Sequence, residues 1–214
     1  MGELFDLPFD ASHNLLPYDG EVFYHGKITQ TGAADAFYRQ LIENIEWRHD
    51  EAMMFGKRII TKRKVAWYGD HPYEYTYSKI TKRALPWTNA LQELKMLTEQ
   101  QSGATYNSCL LNLYHDGSEG MSWHSDGETD LERHGSIASL SFGAQRKFAF
   151  KHRTSKETVN VVLEHGSMLV MRGSTQDHWL HRLPPTKKVH QARINLTFRT
   201  IITDPTNISF SATH

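Results

Sequence analysis

The 214 residues contain one cysteine, Cys109, which excludes an internal disulfide and a thiolate-only zinc cage. Set in an apolar run, Cys109 reads as a small buried hydrophobe in a reducing compartment. No apolar run approaches the ~18 residues of a membrane span. The acidic start Met1-Gly2-Glu3 lacks the basic flank and apolar stretch of a signal peptide. A soluble, cytoplasmic, monomeric protein with no membrane partner is therefore expected. Net charge is absent as well: Lys+Arg and Asp+Glu both total 24. Such a balance by itself predicts neither a nucleic-acid partner nor a membrane surface, so the distribution of charge carries that question.

What is present is enough for one substantial core, with 39% hydrophobic and 11% aromatic residues. No internal repeat or low-complexity tract interrupts it. Residues 1–20 mix Pro8, Pro17 and Gly20 with scattered acids and no period, so they read as an irregular arm laid over the domain. From Ala33 to Ile45, Phe37, Leu41 and Ile45 recur at four-residue steps beside Ala34, which makes one apolar helical stripe. Pro86, Trp87 and Thr88 open a second helix with Leu91, Leu94 and Thr98 on one side, and Ser102-Gly103 ends it. Beyond Gly103 the period becomes two, with strand-like runs at 105–114, 136–142, 146–151, 158–163, 166–172 and 191–201. Segments 57–67 and 73–80 also alternate and are candidate hairpins. Short strands in succession without helices between them predict a mainly β, α+β protein with an antiparallel sandwich or jelly roll.

Chemistry concentrates in Met121-Ser122-Trp123-His124-Ser125-Asp126-Gly127. In an extended segment, side chains two residues apart leave the same face, so His124 and Asp126 reach one ion. A second imidazole would complete a two-histidine, one-carboxylate set with open positions for a chelating co-substrate and O2, the arrangement of iron(II) oxygen chemistry. The cluster Asp177-His178-Trp179-Leu180-His181 offers two candidates. In Arg193-Ile194-Asn195-Leu196-Thr197-Phe198-Arg199, alternation puts Arg193, Asn195, Thr197 and Arg199 on one face. The outer arginines lie ~20 Å apart along a strand, and guanidinium groups reaching inward would close that span toward a five-carbon diacid, each forking onto a carboxylate. Asn112 and Tyr114 share a strand face and add an amide and a phenol. Basic residues cluster as Lys57, Arg58, Lys62, Arg63 and Lys64, and again as Arg146, Lys147, Lys151, Arg153 and Lys156. Both groups are candidates for phosphate contacts.

With Asn112-x-Tyr114, His124-x-Asp126, His181 and the Arg193 to Arg199 face in hand, the chain resembles the AlkB family of iron(II)/2-oxoglutarate dioxygenases, which repair alkylated nucleic acids. The resemblance runs from about Phe55 to Ile201. It implies a double-stranded β-helix core with an N-terminal nucleotide-recognition lid. The expected division is 1–104 for arm, helices and lid, 105–203 for the catalytic core and 204–214 for a tail, within one domain. The family's spacing, twelve residues before Arg193, selects His181 as the third iron ligand and leaves His178 out. By resemblance, Arg193, Tyr114 and Asn195 hold the distal carboxylate of 2-oxoglutarate, while Arg199 and Asn112 sit near its iron-chelating end. O2 converts that co-substrate to succinate and CO2, and an N-methyl group is oxidised and lost as formaldehyde.

Within the family the resemblance is closest to animal members acting on double-stranded DNA. It implies that Tyr77 stacks on a flipped base, Tyr75 contacts the lesion and Glu128 contacts the base edge. Tyr77 departs from the phenylalanine expected at the stacking position. Met54-Phe55-Gly56-Lys57 matches the hairpin tip whose apolar wedge, Phe55, fills the gap left in the duplex. Arg63 belongs with the phosphate-contacting cations beside that wedge. The alternatives are the same chemistry on RNA, a free nucleotide or a protein, a metal-containing nucleic-acid binding module without turnover, and a zinc hydrolase, which leaves two inward arginines unexplained. Neither the strandedness of the DNA nor the lesion, whether 1-methyladenine, 3-methylcytosine or an etheno adduct, is specified by these residues.

Overall fold

Strands of period two meet here in antiparallel ladders, and two helices of period 3.6 cover one of the resulting faces. The computed structural model describes residues 11–54, 57–77 and 80–202. In chain order the elements are β1 (Glu21–Lys27), α1 (Thr31–Asn44), β2 (Arg48–Met54), β3 (Lys57–Gly69), β4 (Glu74–Tyr77), β5 (Ile80–Arg83), α2 (Asn89–Ser102) and β6 (Ser108–Tyr114). They continue as β7 (Met121–His124), β8 (Ile137–Gly143), β9 (Arg146–His152), β10 (Thr158–Leu163), β11 (Ser167–Arg172), α3 (Thr175–His178), β12 (Trp179–Leu183) and β13 (Arg193–Arg199).

The strands form a seven-stranded sheet in the order β1-β11-β8-β13-β6-β3-β2, a four-stranded sheet in the order β10-β9-β12-β7, and the separate hairpin β4-β5. Two sheets of antiparallel strands face one another, as the jelly-roll expectation requires. Strands from both sides of residue 104 share the larger sheet, since β3 pairs with β6 and β1 with β11.

Each face of the large sheet has its own core. On the outer face, Leu41 of α1 and Leu91 and Leu94 of α2 pack against Leu111, Leu140, Ile194, Leu196 and Phe198. Between the sheets, Ile137, Leu169 and Met171 meet Phe150, Leu163 and Trp179 from the smaller sheet, with Leu16 of the arm closing that end. Full burial of each such side chain contributes roughly 1.5–3 kcal/mol. The second helix starts at Asn89 because Thr88 caps it, its hydroxyl accepting the Leu91 N–H at 3.3 Å. Gly103, at φ 69, ends it in the left-handed conformation.

The expected strand runs reappear with small changes at their ends, and both helices stand where the periodicity placed them. Segment 57–67 lies in β3, which forms the expected hairpin with β2 and also pairs with β6 inside the large sheet. Four strands were not among the expected runs, namely β1, β2, β7 and β12. In β12, Trp179, His181 and Leu183 point inward and Leu180 and Arg182 outward, so a buried histidine breaks the apolar period that marks a strand.

Candidate active site

Register brings the first two ligands together. Strands β7 and β12 pair antiparallel with His124 directly opposite His181, and directly opposed residues leave the same face of a sheet. Their ring centroids lie 4.3 Å apart. Asp126 follows two residues after His124, and its Oδ1 sits 3.8 Å from the Nε2 of each histidine. Its backbone N–H donates to Gln176 Oε1 of α3 at 2.9 Å. One residue earlier, Arg153 Nη2 donates to Ser125 Oγ at 2.7 Å. The loop carrying the carboxylate is thus tied down from two sides.

The protonation states suit a metal. His124 Nδ1 lies 2.8 Å from the Ser122 carbonyl, which only accepts, so Nδ1 carries the proton and Nε2 keeps its lone pair. Burial among Phe148 and Phe150 lowers His181 to about 4, with Asp126 opposing and His124 and Arg199 adding to the shift. Its imidazole is therefore neutral. Burial alone raises the Asp126 carboxyl, but Arg199 and the two histidines outweigh it and hold the group below its usual value.

A second cluster of comparable tightness exists among the described residues, formed by Asp19, His152 and His178. Its chemistry differs. His152 Nδ1 accepts the Ser155 backbone N–H at 3.0 Å, so the proton of the neutral ring sits on Nε2, 3.3 Å from Asp19 Oδ2. A nitrogen that bears a proton has no lone pair for a cation. This cluster fastens the arm to the β9-β10 hairpin; Tyr18 assists through its hydroxyl to Glu157 at 2.7 Å and its carbonyl to Trp179 Nε1.

Beside the triad, three strands contribute one polar face. Register sets Tyr114 against Arg193 and Asn112 against Asn195 across β6-β13, and Ser141 against Asn195 and Ser139 against Thr197 across β13-β8. Arg193 Nη2 donates to Ser141 Oγ at 2.8 Å and to Asn195 Oδ1 at 2.9 Å. Asn195 Nδ2 donates onward to Thr197 Oγ1 at 2.8 Å. Arg193 is 2% exposed, and no carboxylate pairs with it among the described residues. Burial pushes its guanidinium down to about 10, with Tyr114 opposing and Arg146 reinforcing the shift. Its Nε and the buried Asn112 Oδ1 have no hydrogen-bond partner. A buried cation without a counter-ion is costly, and this one keeps an unsatisfied donor on the polar face that also carries the unsatisfied acceptor of Asn112. The orphaned guanidinium donor fits a carboxylate-bearing ligand.

Arg199 stands at the other end of the face. Its Nη2 is 3.7 Å from Asp126 Oδ2 and its Nη1 is 3.2 Å from Glu128 Oε1. Burial lowers its pKa, yet Asp126 and Glu128 overcome that and raise it, so the cation remains charged beside the triad.

Residues 20–199 match the 2OG-Fe(II) oxygenase superfamily. Alpha-ketoglutarate-dependent dioxygenase alkB homolog 3 of Homo sapiens is 40% identical over 182 residues, covering 80% of this chain and 63% of that protein. DNA oxidative demethylase ALKBH2 of Mus musculus is 38% identical over 180 residues, covering 79% of this chain and 75% of its own length. The chain belongs to the AlkB family of 2OG-Fe(II) oxygenases. It spans less than two thirds of the length of the human homologue, at 63%. Its fold is also that of a solved structure described as "The structure of OsALKBH1", with TM-score 0.57 and 15% identity over 86% of this chain and 99% of the other. The family's cofactors are iron(II), 2-oxoglutarate and O2; the His124, Asp126 and His181 donor set fits the first and the orphaned Arg193 donor the second.

In this AlkB-family chain the structure assembles His124, Asp126 and His181, and separately Asn112, Tyr114, Arg193, Asn195, Thr197 and Arg199, as the sequence pattern anticipated. His178 lies outside the triad, stacked 6.3 Å from His152. Glu128 is held by Arg199, the same guanidinium that lies beside Asp126. Two basic residues have other employment. Arg63 is paired with Asp50, and its Nη1 donates to Met121 Sδ at 3.2 Å, so its charge is already neutralised. Arg146 is 2% exposed and donates to the carbonyls of Asp116, Gly117, Glu119 and Pro184; it is a buried strut, not a surface cation. Phe55 lies outside the described residues. Tyr75 and Tyr77 stand on β4, opposite Lys82 and Ile80 of β5. Sequence reasoning missed Ser139, Ser141 and Gln176. The two serines were visible as the polar positions of Ile137-Ala138-Ser139-Leu140-Ser141-Phe142; nothing in the sequence marked Gln176.

Proposed function

We propose that the protein removes alkyl groups oxidatively from N-alkylated bases of DNA, as an alkylation-repair dioxygenase. The observation that carries this is Arg193, buried and without a counter-ion among the described residues, on the same polar face that leads to the His124, Asp126 and His181 triad. The relatives named DNA oxidative demethylase support the choice of substrate. Iron(II) bound with 2-oxoglutarate supplies the activation of O2 that oxidises an unactivated C–H bond.

The chain's own residues provide position and charge. His124 and His181 offer imidazole nitrogen donors and Asp126 an ionised carboxylate. Arg193, with the Tyr114 phenol, binds the distal carboxylate of the diacid, and Asn195 and Ser141 hold that guanidinium in place. Arg199 balances Asp126 and orients Glu128 toward the base edge. Tyr77 stacks on the extruded base, Tyr75 contacts the lesion and Phe55 fills the vacated stack. For an N-methyl substrate the balance is closed: 2-oxoglutarate loses CO2 and one oxygen atom enters succinate, the other leaves in formaldehyde, and the ring nitrogen keeps the electron pair of the broken C–N bond as the hydroxyl proton departs. The buried Cys109 thiol, pushed well up by burial, is consistent with a cytoplasmic setting, and we read the chain as a monomer.

The test is mass analysis of methylated single- and double-stranded oligonucleotides, DNA and RNA, after incubation with iron(II), ascorbate and 2-oxoglutarate. Loss of the methyl group from DNA with stoichiometric succinate is expected. Succinate formation with intact methylated DNA and demethylated RNA would move the substrate to RNA; no succinate under any condition would remove the enzyme reading.

A further inference from the structure

The chain carries 24 acidic and 24 basic residues, yet none of the acids falls in the four-stranded sheet. Its strands read Met-Ser-Trp-His, Arg-Lys-Phe-Ala-Phe-Lys-His, Thr-Val-Asn-Val-Val-Leu and Trp-Leu-His-Arg-Leu. Arg146, Phe148, Phe150 and His181 point inward, so alternation sends Lys147 and Lys151 of β9 and Arg182 of β12 to the outer face. The exposed neighbours on β10, Thr158, Asn160 and Val162, are uncharged. None of these three cations has a carboxylate partner among the described residues.

Trp123 organises the patch. Lys151 Nζ lies 4.4 Å and Arg182 Cζ 4.5 Å from its ring centroid. Cation–π contact fixes both stems on the indole without neutralising either charge, and Arg182 Nε has no hydrogen-bond acceptor. The tryptophan immediately precedes His124, and β7 is the edge strand of this sheet, so the basic face runs up to the metal centre. A neutral protein that gathers unpaired, pre-positioned cations on one acid-free sheet beside its active site presents a complement to a polyanion.

We propose that the outer face of the four-stranded sheet, through Lys151 and Arg182 held on Trp123 and the exposed Lys147 beside them on β9, binds the phosphate backbone of the nucleic acid whose base enters the site. This rests on the proposed nucleic-acid substrate and adds a surface that the base-recognition residues do not supply.

The experiment measures binding of the full chain to a fluorescently labelled methylated single-stranded oligonucleotide between about 50 and about 200 mM salt. At ~0.7 per phosphate contact on single strands, combined Lys147→Gln, Lys151→Gln and Arg182→Gln should lower the slope of log affinity against log salt by about 2. Lys147→Gln alone, at an exposed side chain away from Trp123, should lower it by ~0.7 without touching the packing of the indole. The charge-keeping set Lys147→Arg, Lys151→Arg and Arg182→Lys should retain the slope. An unchanged slope in both neutral variants overturns the surface while leaving the substrate reading intact. Wild-type chain that binds neither DNA nor RNA overturns both. Binding of phosphatidylserine vesicles that depends on the three cations, with the oligonucleotide slope unaffected, would assign the face to a membrane and overturn the proposal.

Discussion

Gln176 Oε1 accepts the backbone N–H of Asp126 at 2.9 Å, so a residue fifty positions downstream fixes the segment that carries the candidate iron carboxylate. Second partners of this kind orient ligands, and losing one typically weakens metal binding by ~10–100-fold. Gln176→Leu is predicted to weaken cobalt(II) or iron(II) binding by about tenfold or more with little change in melting temperature. Unaltered affinity in a metal titration would reduce the bond to local packing.

His124→Ala and Asp126→Ala remove ligands outright. Each is predicted to abolish succinate formation and demethylation while oligonucleotide binding largely persists, because the cations proposed to meet phosphate lie on other strands. Either variant retaining wild-type demethylation would sink the triad assignment.

Arg193 gives a prediction in which affinity and stability part company. Its guanidinium is buried with no counter-ion among the described residues, so its removal relieves a desolvated charge in the ligand-free protein. Taking one member from a buried ion pair costs ~3–5 kcal/mol once the partner is present. Arg193→Met is therefore expected to weaken 2-oxoglutarate binding by at least ~100-fold while the melting temperature of the ligand-free protein holds or rises. Asn195 Oδ1 keeps its bond from Ser139 Oγ at 2.8 Å in that variant. Arg193→Lys should not restore binding, since a point charge cannot fork onto a carboxylate. Calorimetry with 2-oxoglutarate and a redox-silent metal, paired with thermal unfolding, checks both halves.

These sites differ in how far the sequence revealed them, and the reason is distance along the chain. His124 and Asp126, or Arg193 to Arg199, are local patterns in single extended segments, where a period of two fixes which side chains share a face. His181 needed the family's spacing because His178 lies in the same short cluster, and only the register of β12 against β7 separates them physically. Ser141 and Gln176 matter through pairings with residues far away in sequence, Asn195 and Asp126. The charge of Arg63 was legible, but its neutralisation by Asp50 depends on the β2-β3 pairing. The helices were the easiest elements, since Leu41, Leu91 and Leu94 mark their buried stripes directly.

Arg146 shows the same limit in a form that experiment can separate. Sequence grouped it with Lys147 and Lys151 as a surface cation, whereas the structure buries it and gives it four carbonyl acceptors, Asp116 and Gly117 at 3.2 and 3.3 Å, Glu119 at 2.9 Å and Pro184 at 3.0 Å. Those carbonyls belong to the loop between β6 and β7 and to the segment after β12, so one side chain joins the approach to the metal strand with the strand that carries His181. Stranding buried acceptors costs about 1–3 kcal/mol each, partly offset by relaxation and water entry. Arg146→Met is predicted to destabilise the protein by roughly 3 kcal/mol or more, seen as a melting temperature several degrees lower. Its salt dependence of oligonucleotide binding should match wild type, unlike that of Lys147→Gln. A reduced salt slope with an unchanged melting temperature would return Arg146 to the surface and break the link between this strut and the His181 strand.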